Sequence, residues 1–121
     1  MRVFLQALGC RLNEAELESW SRDCHARGMS LATDLDQADL VIINTCAVTS
    51  ESVRKSRQLI RRAQRKNPCA KLVVSGCLAS LEPERTAAES GIDLLVPNAD
   101  KERLVEIVAE RLALPIMPEV A

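Results

Sequence analysis

Three of the five cysteines in this chain stand where they could hold a metal together. Cys10, Cys46 and Cys77 each follow a segment with the apolar character of a β-strand. Because the carboxyl ends of parallel strands meet at one edge of a sheet, we expect the three thiols to become neighbours there. Neighbouring strands lie about 4.8 Å apart, so three consecutive strand ends span roughly 10 Å. Short loops can close around a metal cluster over that distance.

The number and type of these ligands favour iron and sulfur. Three thiolates suit a [4Fe–4S] cluster with one iron lacking a protein ligand, whereas an electron-transfer cluster normally uses four. Zinc is the main alternative, although three-ligand zinc sites usually include histidine or carboxylate, and the single histidine, His25, is not in these turns. Cysteine is also a common core residue, which is how we interpret Cys24. We expect Cys69 in a loop.

The elements that must position the cysteines alternate between strands and helices. Residues 40–43 form a continuous apolar run, Leu-Val-Ile-Ile, which is typical of a strand covered on both faces. We expect strands at 3–7, 30–32, 40–43, 72–74 and 94–96, and helices at 15–27, 53–65, 81–90 and 100–112. The pattern predicts an α/β fold: a flavodoxin-like, doubly wound, five-stranded parallel sheet in the order 2-1-3-4-5 with helices on both faces. Strands 1, 3 and 4, which precede the three cysteines, are then adjacent.

The first helix carries two recognisable signals. Asn13 with Glu16 three residues later predicts a capping box at its start. Leu17, Trp20 and Cys24 are spaced three and four residues apart, so they should face the sheet together.

Composition limits the class of protein. A chain of 121 residues with 47% hydrophobic content can form one domain with its own core. No apolar stretch approaches the roughly 18 residues of a membrane span, and the N-terminus lacks the pattern of a signal peptide. An odd set of five cysteines fits a reducing compartment. We therefore expect a cytoplasmic protein that does not contact membranes.

The predicted second helix concentrates positive charge. At about 100° per residue its basic side chains all fall within one half of the helix, and Val53, Ser56, Leu59, Ile60 and Ala63 take the other half. The basic residues are Arg54, Lys55, Arg57, Arg61, Arg62, Arg65 and Lys66, seven of the 16 in the chain, against 17 acidic residues in all. This asymmetry indicates contact with RNA phosphates, and the alternative is a solvated surface helix. With one phenylalanine, one tryptophan and no tyrosine, base stacking can contribute little.

The cysteine segments together resemble a known family. Residues 8–13 (Leu-Gly-Cys-Arg-Leu-Asn), 44–49 (Asn-Thr-Cys-Ala-Val-Thr) and 75–77 (Ser-Gly-Cys) are similar to the N-terminal domain of radical-SAM methylthiotransferases. The resemblance implies that Cys10, Cys46 and Cys77 carry an auxiliary [4Fe–4S] cluster whose open iron holds the sulfur or methylthio group to be delivered.

Residues 54–63 are most similar to the branch that adds a methylthio group to N6-threonylcarbamoyladenosine beside the tRNA anticodon, although Ala7 stands where that branch often has threonine.

The resemblance also implies partners outside this chain. No cysteines here have the C-x-x-x-C-x-x-C spacing of the second family cluster. We therefore expect residues 1–113 to form the cluster-binding domain and residues 114–121 to be a linker toward an absent radical-SAM domain. That domain would supply the second [4Fe–4S] cluster and S-adenosylmethionine, tRNA would be the substrate, and this chain alone would be inactive.

Other functions fit the pattern less well. The chain could be a non-catalytic metal-binding or RNA-docking module, or a methylthiotransferase domain acting on isopentenyladenosine or a ribosomal protein. A flavin redox domain is disfavoured because aromatic residues are scarce. Asp23, His25 and Gly28 match the spacing of cobalamin-binding domains, but this histidine belongs to the end of the first helix instead of the loop after the first strand.

Overall fold

One parallel β-sheet organises the molecule in the computed structural model, which describes residues 2–8, 11–46, 49–77 and 92–111, and only the backbone of 11–13. The strands are β1 (Arg2–Ala7), β2 (Ser30–Leu31), β3 (Leu40–Thr45), β4 (Lys71–Gly76) and β5 (Leu94–Val96). All neighbours pair in parallel, in the order β2-β1-β3-β4-β5. This confirms the predicted flavodoxin-like sheet.

Within the described ranges, two helices connect strands and a third follows β5. They are α1 (Arg11–Ala26), α2 (Ser50–Lys66) and α3 (Leu104–Arg111), with short 3₁₀ helices at Leu35–Gln37 and Asn98–Arg103. The last helix therefore begins as a 3₁₀ segment after Pro97, an arrangement that is frequent at helix N-termini. None of these helices has the length and apolar character needed to cross a membrane. Cys10, the helix predicted at 81–90 and the linker predicted at 114–121 lie outside the described residues.

The apolar run in β3 packs on both faces of the sheet, as predicted. Leu40 and Ile42 belong to the core under α1 and α3, together with Trp20 and Cys24. Val41 and Ile43 belong to the core under α2, because successive side chains of a strand point to opposite faces. The strand is thus held from both sides just before Cys46.

The capping box predicted at the start of α1 is wrong. The helix begins at Arg11, so Asn13 lies inside it and not at its N-cap. The Glu16 carboxylate accepts hydrogen bonds from the Asn44 amide at 3.2 Å and from Lys101 at 2.7 Å. These partners at the edge of the sheet replace the backbone donor that a capping glutamate would satisfy.

The prediction that Leu17, Trp20 and Cys24 of α1 face the sheet is confirmed. Trp20 and Cys24 are buried, and Leu17 packs against the same core. Burial, with a smaller contribution from Asp23, raises the pKa of the Cys24 thiol to about 11. A thiol with so high a pKa remains protonated at neutral pH and serves as a core side chain.

Candidate metal centre

The carboxyl edge of the sheet brings two of the predicted ligands together. Asn44 of β3 pairs with Ala7 of β1 and with Ser75 of β4, so these three strands end at one level. Thr45 then pairs with Gly76, and the next residue on each strand is a cysteine. Cys46 and Cys77 are therefore neighbours at adjacent strand ends, and both thiols are free.

Strand β1, which precedes the third predicted ligand in the chain, ends at the same edge. Leu8 continues the pairing of β1, because its amide donates to the Asn44 carbonyl at 3.0 Å. Cys10 follows two residues later, outside the described residues. In the part of the chain that the structure describes, no three histidine, cysteine or acidic side chains form a group that could hold a metal ion.

A buried serine holds the backbone of Cys46. The Cys46 amide donates to Ser56 Oγ at 3.0 Å, and Ser56 Oγ donates to the Cys46 carbonyl at 2.8 Å. Ser56 is fully buried in α2, and Cys46 is 8% exposed. Both backbone groups of the cysteine are thus satisfied by one side chain from the following helix.

The start of α2 is fixed independently of Ser56. Thr49 caps the helix, since its Oγ1 accepts from the Ser52 amide at 3.0 Å. The helix therefore begins at Ser50, three residues earlier than predicted.

Gly76 permits close contact between β3 and β4 immediately before Cys77. Its φ is +97°, a left-handed conformation that glycine adopts without penalty. A Cβ atom at this position would overlap the Thr45 carbonyl oxygen and lie 2.7 Å from both the Thr45 nitrogen and Asn44 Oδ1. The backbone that leads into Cys77 requires glycine.

Polar side chains at the ends of the strands donate to backbone carbonyls of the neighbouring strands. Thr45 Oγ1 donates to the Ser75 carbonyl at 2.6 Å, and Ser75 Oγ donates to the Val96 carbonyl at 2.7 Å. Asn44, Thr45 and Ser75 are all fully buried. The hydroxyls of Thr45 and Ser75 therefore join the ends of β3, β4 and β5.

A second polar group supports the edge from α1 and the last 3₁₀ helix. Glu16 accepts from Lys101 and Asn44, and the Lys101 carbonyl accepts from Trp20 Nε1 at 3.0 Å. The Glu16 and Lys101 side chains are 22% and 12% exposed, so this pair is shielded from water. The sequence does not predict this pair, because Lys101 is 85 residues from Glu16 and the spacing of Glu16 after Asn13 predicted a helix cap instead.

The donors at this edge fit a sulfur-ligated group. Cys46 and Cys77 offer thiols there, whereas His25 is exposed in the last turn of α1, at the opposite edge of the sheet. Cys69 is exposed and precedes β4, which also places it at the opposite edge. Glu16, the nearby carboxylate, already binds Lys101. Thiolate donors without histidine suit iron–sulfur clusters and thiolate-rich zinc sites.

Six of the seven basic side chains predicted on α2 are exposed. Arg57 differs from the others, with only 8% exposure. Glu51, the one acidic residue of the helix, lies 3.9 Å from Arg54 and 3.3 Å from Lys55. All three side chains are more than half exposed, so these pairs neutralise little charge. The exposed set, which we call the basic surface, comprises Arg54, Lys55, Arg61, Arg62, Arg65 and Lys66.

A groove connects the basic surface with the end of β1. Its volume is about 470 Å³, and it is lined by Leu8, Lys55, Gln58, Leu59, Arg62 and Arg65. Leu8 is the last residue described before Cys10. The groove therefore places three cations beside the edge that carries the cysteines.

Comparison with protein families identifies similar proteins. Residues 2–97 match the model described as uncharacterized protein family UPF0004. The threonylcarbamoyladenosine tRNA methylthiotransferase MtaB of Aquifex aeolicus is 38% identical over 112 residues, which are 93% of this chain and 27% of that protein. The Bacillus subtilis protein of the same name is 37% identical over 85% of this chain and 23% of its own length.

Two further similarities are informative. The ribosomal protein uS12 methylthiotransferase RimO of Roseiflexus castenholzii is 33% identical over 89% of this chain and 23% of its own length. The chain thus spans about a quarter of the length of these relatives. A crystal structure of the pilus assembly protein CpaE from Burkholderia thailandensis superposes with a TM-score of 0.64 at 12% identity, covering 94% of this chain and 99% of that one. That likeness concerns the fold alone.

Proposed function

We propose that this chain, which belongs to the protein family UPF0004, is the part of a methylthiotransferase that holds an auxiliary [4Fe–4S] cluster on Cys10, Cys46 and Cys77. The observation that carries the proposal is the pair of free thiols, Cys46 and Cys77, directly after two adjacent strands that end at one level. In the chain, Cys10 follows β1, which pairs with β3 and ends at the same level.

The chain's own residues prepare this edge for a cluster. Ser56 fixes the Cys46 backbone, and Gly76 lets the chain enter Cys77 close to β3. When bound, a [4Fe–4S] cluster held by three thiolates offers one iron without a protein ligand, where an external sulfur or methylthio group can be held. The buried hydroxyls of Thr45 and Ser75 are engaged with strand carbonyls, so they stabilise the edge itself.

We propose N6-threonylcarbamoyladenosine in tRNA as the substrate of the whole protein. The relatives from Aquifex aeolicus and Bacillus subtilis, at 38% and 37% identity, are both named threonylcarbamoyladenosine tRNA methylthiotransferase MtaB. The sequence identity to RimO is 33%. The chain covers only about a quarter of the length of these relatives. We therefore propose that the reaction requires domains outside this chain. We propose that a radical-SAM domain supplies the second cluster and S-adenosylmethionine.

Reconstitution tests the cluster proposal. The chain, incubated anaerobically with ferrous iron and sulfide, is expected to bind about four irons and four sulfides and to turn brown. Iron and sulfide assays with an absorption spectrum measure this. A colourless chain that takes up one zinc ion instead would contradict the proposal in favour of a zinc site, and a yellow chain with two resolved bands would indicate flavin.

We propose that the basic surface and its groove bind the phosphate backbone of tRNA. Lys55, Arg62 and Arg65 line a groove that leads to the end of β1, so bound RNA would pass the edge of the cysteines. Each phosphate contact releases counterions and adds about 0.7 to 0.9 to the slope of log K against log salt.

Replacement of Arg62 tests this contact. Arg62→Gln is expected to weaken binding of a tRNA anticodon stem–loop and to lower the salt slope by about one. Fluorescence anisotropy at several salt concentrations measures both quantities. Arg22→Gln is the matched control, because Arg22 is an exposed arginine of α1, on the other face of the sheet. If both variants lower the slope equally, RNA responds only to net charge and the proposed groove is wrong.

A further inference from the structure

We propose that Ser56 is a positioning residue for the metal ligand Cys46. Its hydroxyl sets where the Cys46 backbone lies, and thereby where the thiol is presented at the carboxyl edge. This inference rests on the proposed function, because it concerns one of the three proposed ligands. It goes further by assigning the placement of that ligand to a side chain of α2.

The geometry of the Ser56 hydroxyl is specific to Cys46. One oxygen accepts from the Cys46 amide at 3.0 Å and donates to the Cys46 carbonyl at 2.8 Å. A hydroxyl has one hydrogen, so Ser56 cannot also donate to the carbonyl one turn back in its own helix, which is the usual partner of a helical serine. Both bonds are directed to a residue ten positions earlier in the chain.

Because these two hydrogen bonds are buried, their loss is costly. Ser56 is fully buried, and Cys46 is 8% exposed. Without the hydroxyl, the amide and the carbonyl of Cys46 would both lose their partner away from water, which is costlier than the loss of an exposed bond. The local backbone can recover partners only by moving toward solvent. Ligands of a bound group must be held within about 0.5 Å of their productive position, so even a small movement impairs binding.

The opposite hypothesis is that Ser56 merely stabilises the domain as a whole. The reactivity of the Cys24 thiol distinguishes this hypothesis from a positioning role, because Cys24 is fully buried in the core on the other face of the sheet. Its reactivity reports opening of the whole domain, whereas the reactivity of Cys46 also reports local movement at the edge. A positioning role changes the ratio of the two rates, and general stabilisation changes both rates together.

The test compares Ser56→Ala with Ser52→Ala in the full chain. Ser52 lies one turn earlier in α2, and its hydroxyl contacts Thr49 instead of Cys46. The metal-free variants are treated with iodoacetamide, and modification of each cysteine is followed by mass spectrometry. Ser56→Ala is expected to speed the reaction of Cys46 relative to Cys24 by about tenfold, as expected for two lost buried bonds, whereas Ser52→Ala leaves the ratio unchanged.

A second measurement uses the reconstituted chain. Ser56→Ala is expected to lose its iron to a chelator about tenfold faster than wild type, on the same reasoning, and Ser52→Ala at the wild-type rate. Equal acceleration of Cys46 and Cys24, or no acceleration of either, would overturn the assignment of Ser56. If wild type binds no cluster, the proposed function fails, and the ratio of thiol rates still decides whether Ser56 positions Cys46.

Discussion

Cys46→Ala is expected to abolish the iron binding of the reconstituted chain. The variant should retain less than about a tenth of the wild-type iron, because two thiolates do not hold a cluster that otherwise has three or four. Cys10→Ala and Cys77→Ala should behave in the same way, since each removes one ligand of the same proposed set. Anaerobic reconstitution followed by iron and sulfide assays measures the effect.

Cys69→Ala provides the matched control. Cys69 is an exposed free thiol that precedes β4, so the same substitution is made at the opposite edge of the sheet. This variant should bind as much iron as wild type. Cys24→Ala should also retain iron, although it removes a buried side chain from the core and lowers the stability of the fold.

The control variants also distinguish the alternatives. Full iron content in Cys46→Ala would contradict the three-cysteine site, even if wild type turned brown. Loss of iron in Cys69→Ala as well as in Cys46→Ala would indicate iron bound nonspecifically by accessible thiols. Only a loss of iron that is confined to the variants of Cys10, Cys46 and Cys77 agrees with a cluster at the carboxyl edge.

Much of the fold could be predicted because its signals are local. The continuous apolar run at Leu40 to Ile43 requires a strand covered on both faces, and the structure buries all four side chains. Alternation of strands and helices then leaves few arrangements for a parallel sheet. The predicted start of α1 was wrong, since the helix begins at Arg11 and the Glu16 carboxylate binds Asn44 and Lys101, which are distant in sequence.

The sequence predicts ligands for the candidate site, but it does not predict the contacts that support them. The prediction of the cysteines rests on their positions at strand ends, whereas the hydrogen bonds that hold the edge connect residues 10 to 85 positions apart. Ser56 did leave a signal, because it is a polar residue on the apolar half of α2. A polar side chain on the inward face of a helix must find a partner, but sequence alone does not say that the partner is the backbone of Cys46.

Gly76→Ala is expected to cause the largest loss of stability among single substitutions at this edge. The added methyl would overlap the Thr45 carbonyl oxygen and lie 2.7 Å from the Thr45 nitrogen, and both are backbone atoms of a fully buried strand end. Left-handed backbone costs an L-residue about 1 to 2 kcal/mol, and overpacking adds about 1 to 3 kcal/mol. The free energy of unfolding should therefore fall by about 2 to 5 kcal/mol, a large part of the roughly 5 to 15 kcal/mol of a typical domain.

Gly28→Ala separates the two contributions to that loss. Gly28 also has positive φ, +82°, but it is exposed just after α1. The control should lose only about 1 to 2 kcal/mol, the cost of left-handed backbone. Urea unfolding followed by circular dichroism measures both variants. Equal losses would mean that β3 and β4 can separate at Gly76 without penalty. A larger loss in Gly76→Ala, together with weaker iron binding, would mean that close contact between these strand ends is what presents Cys77 beside Cys46.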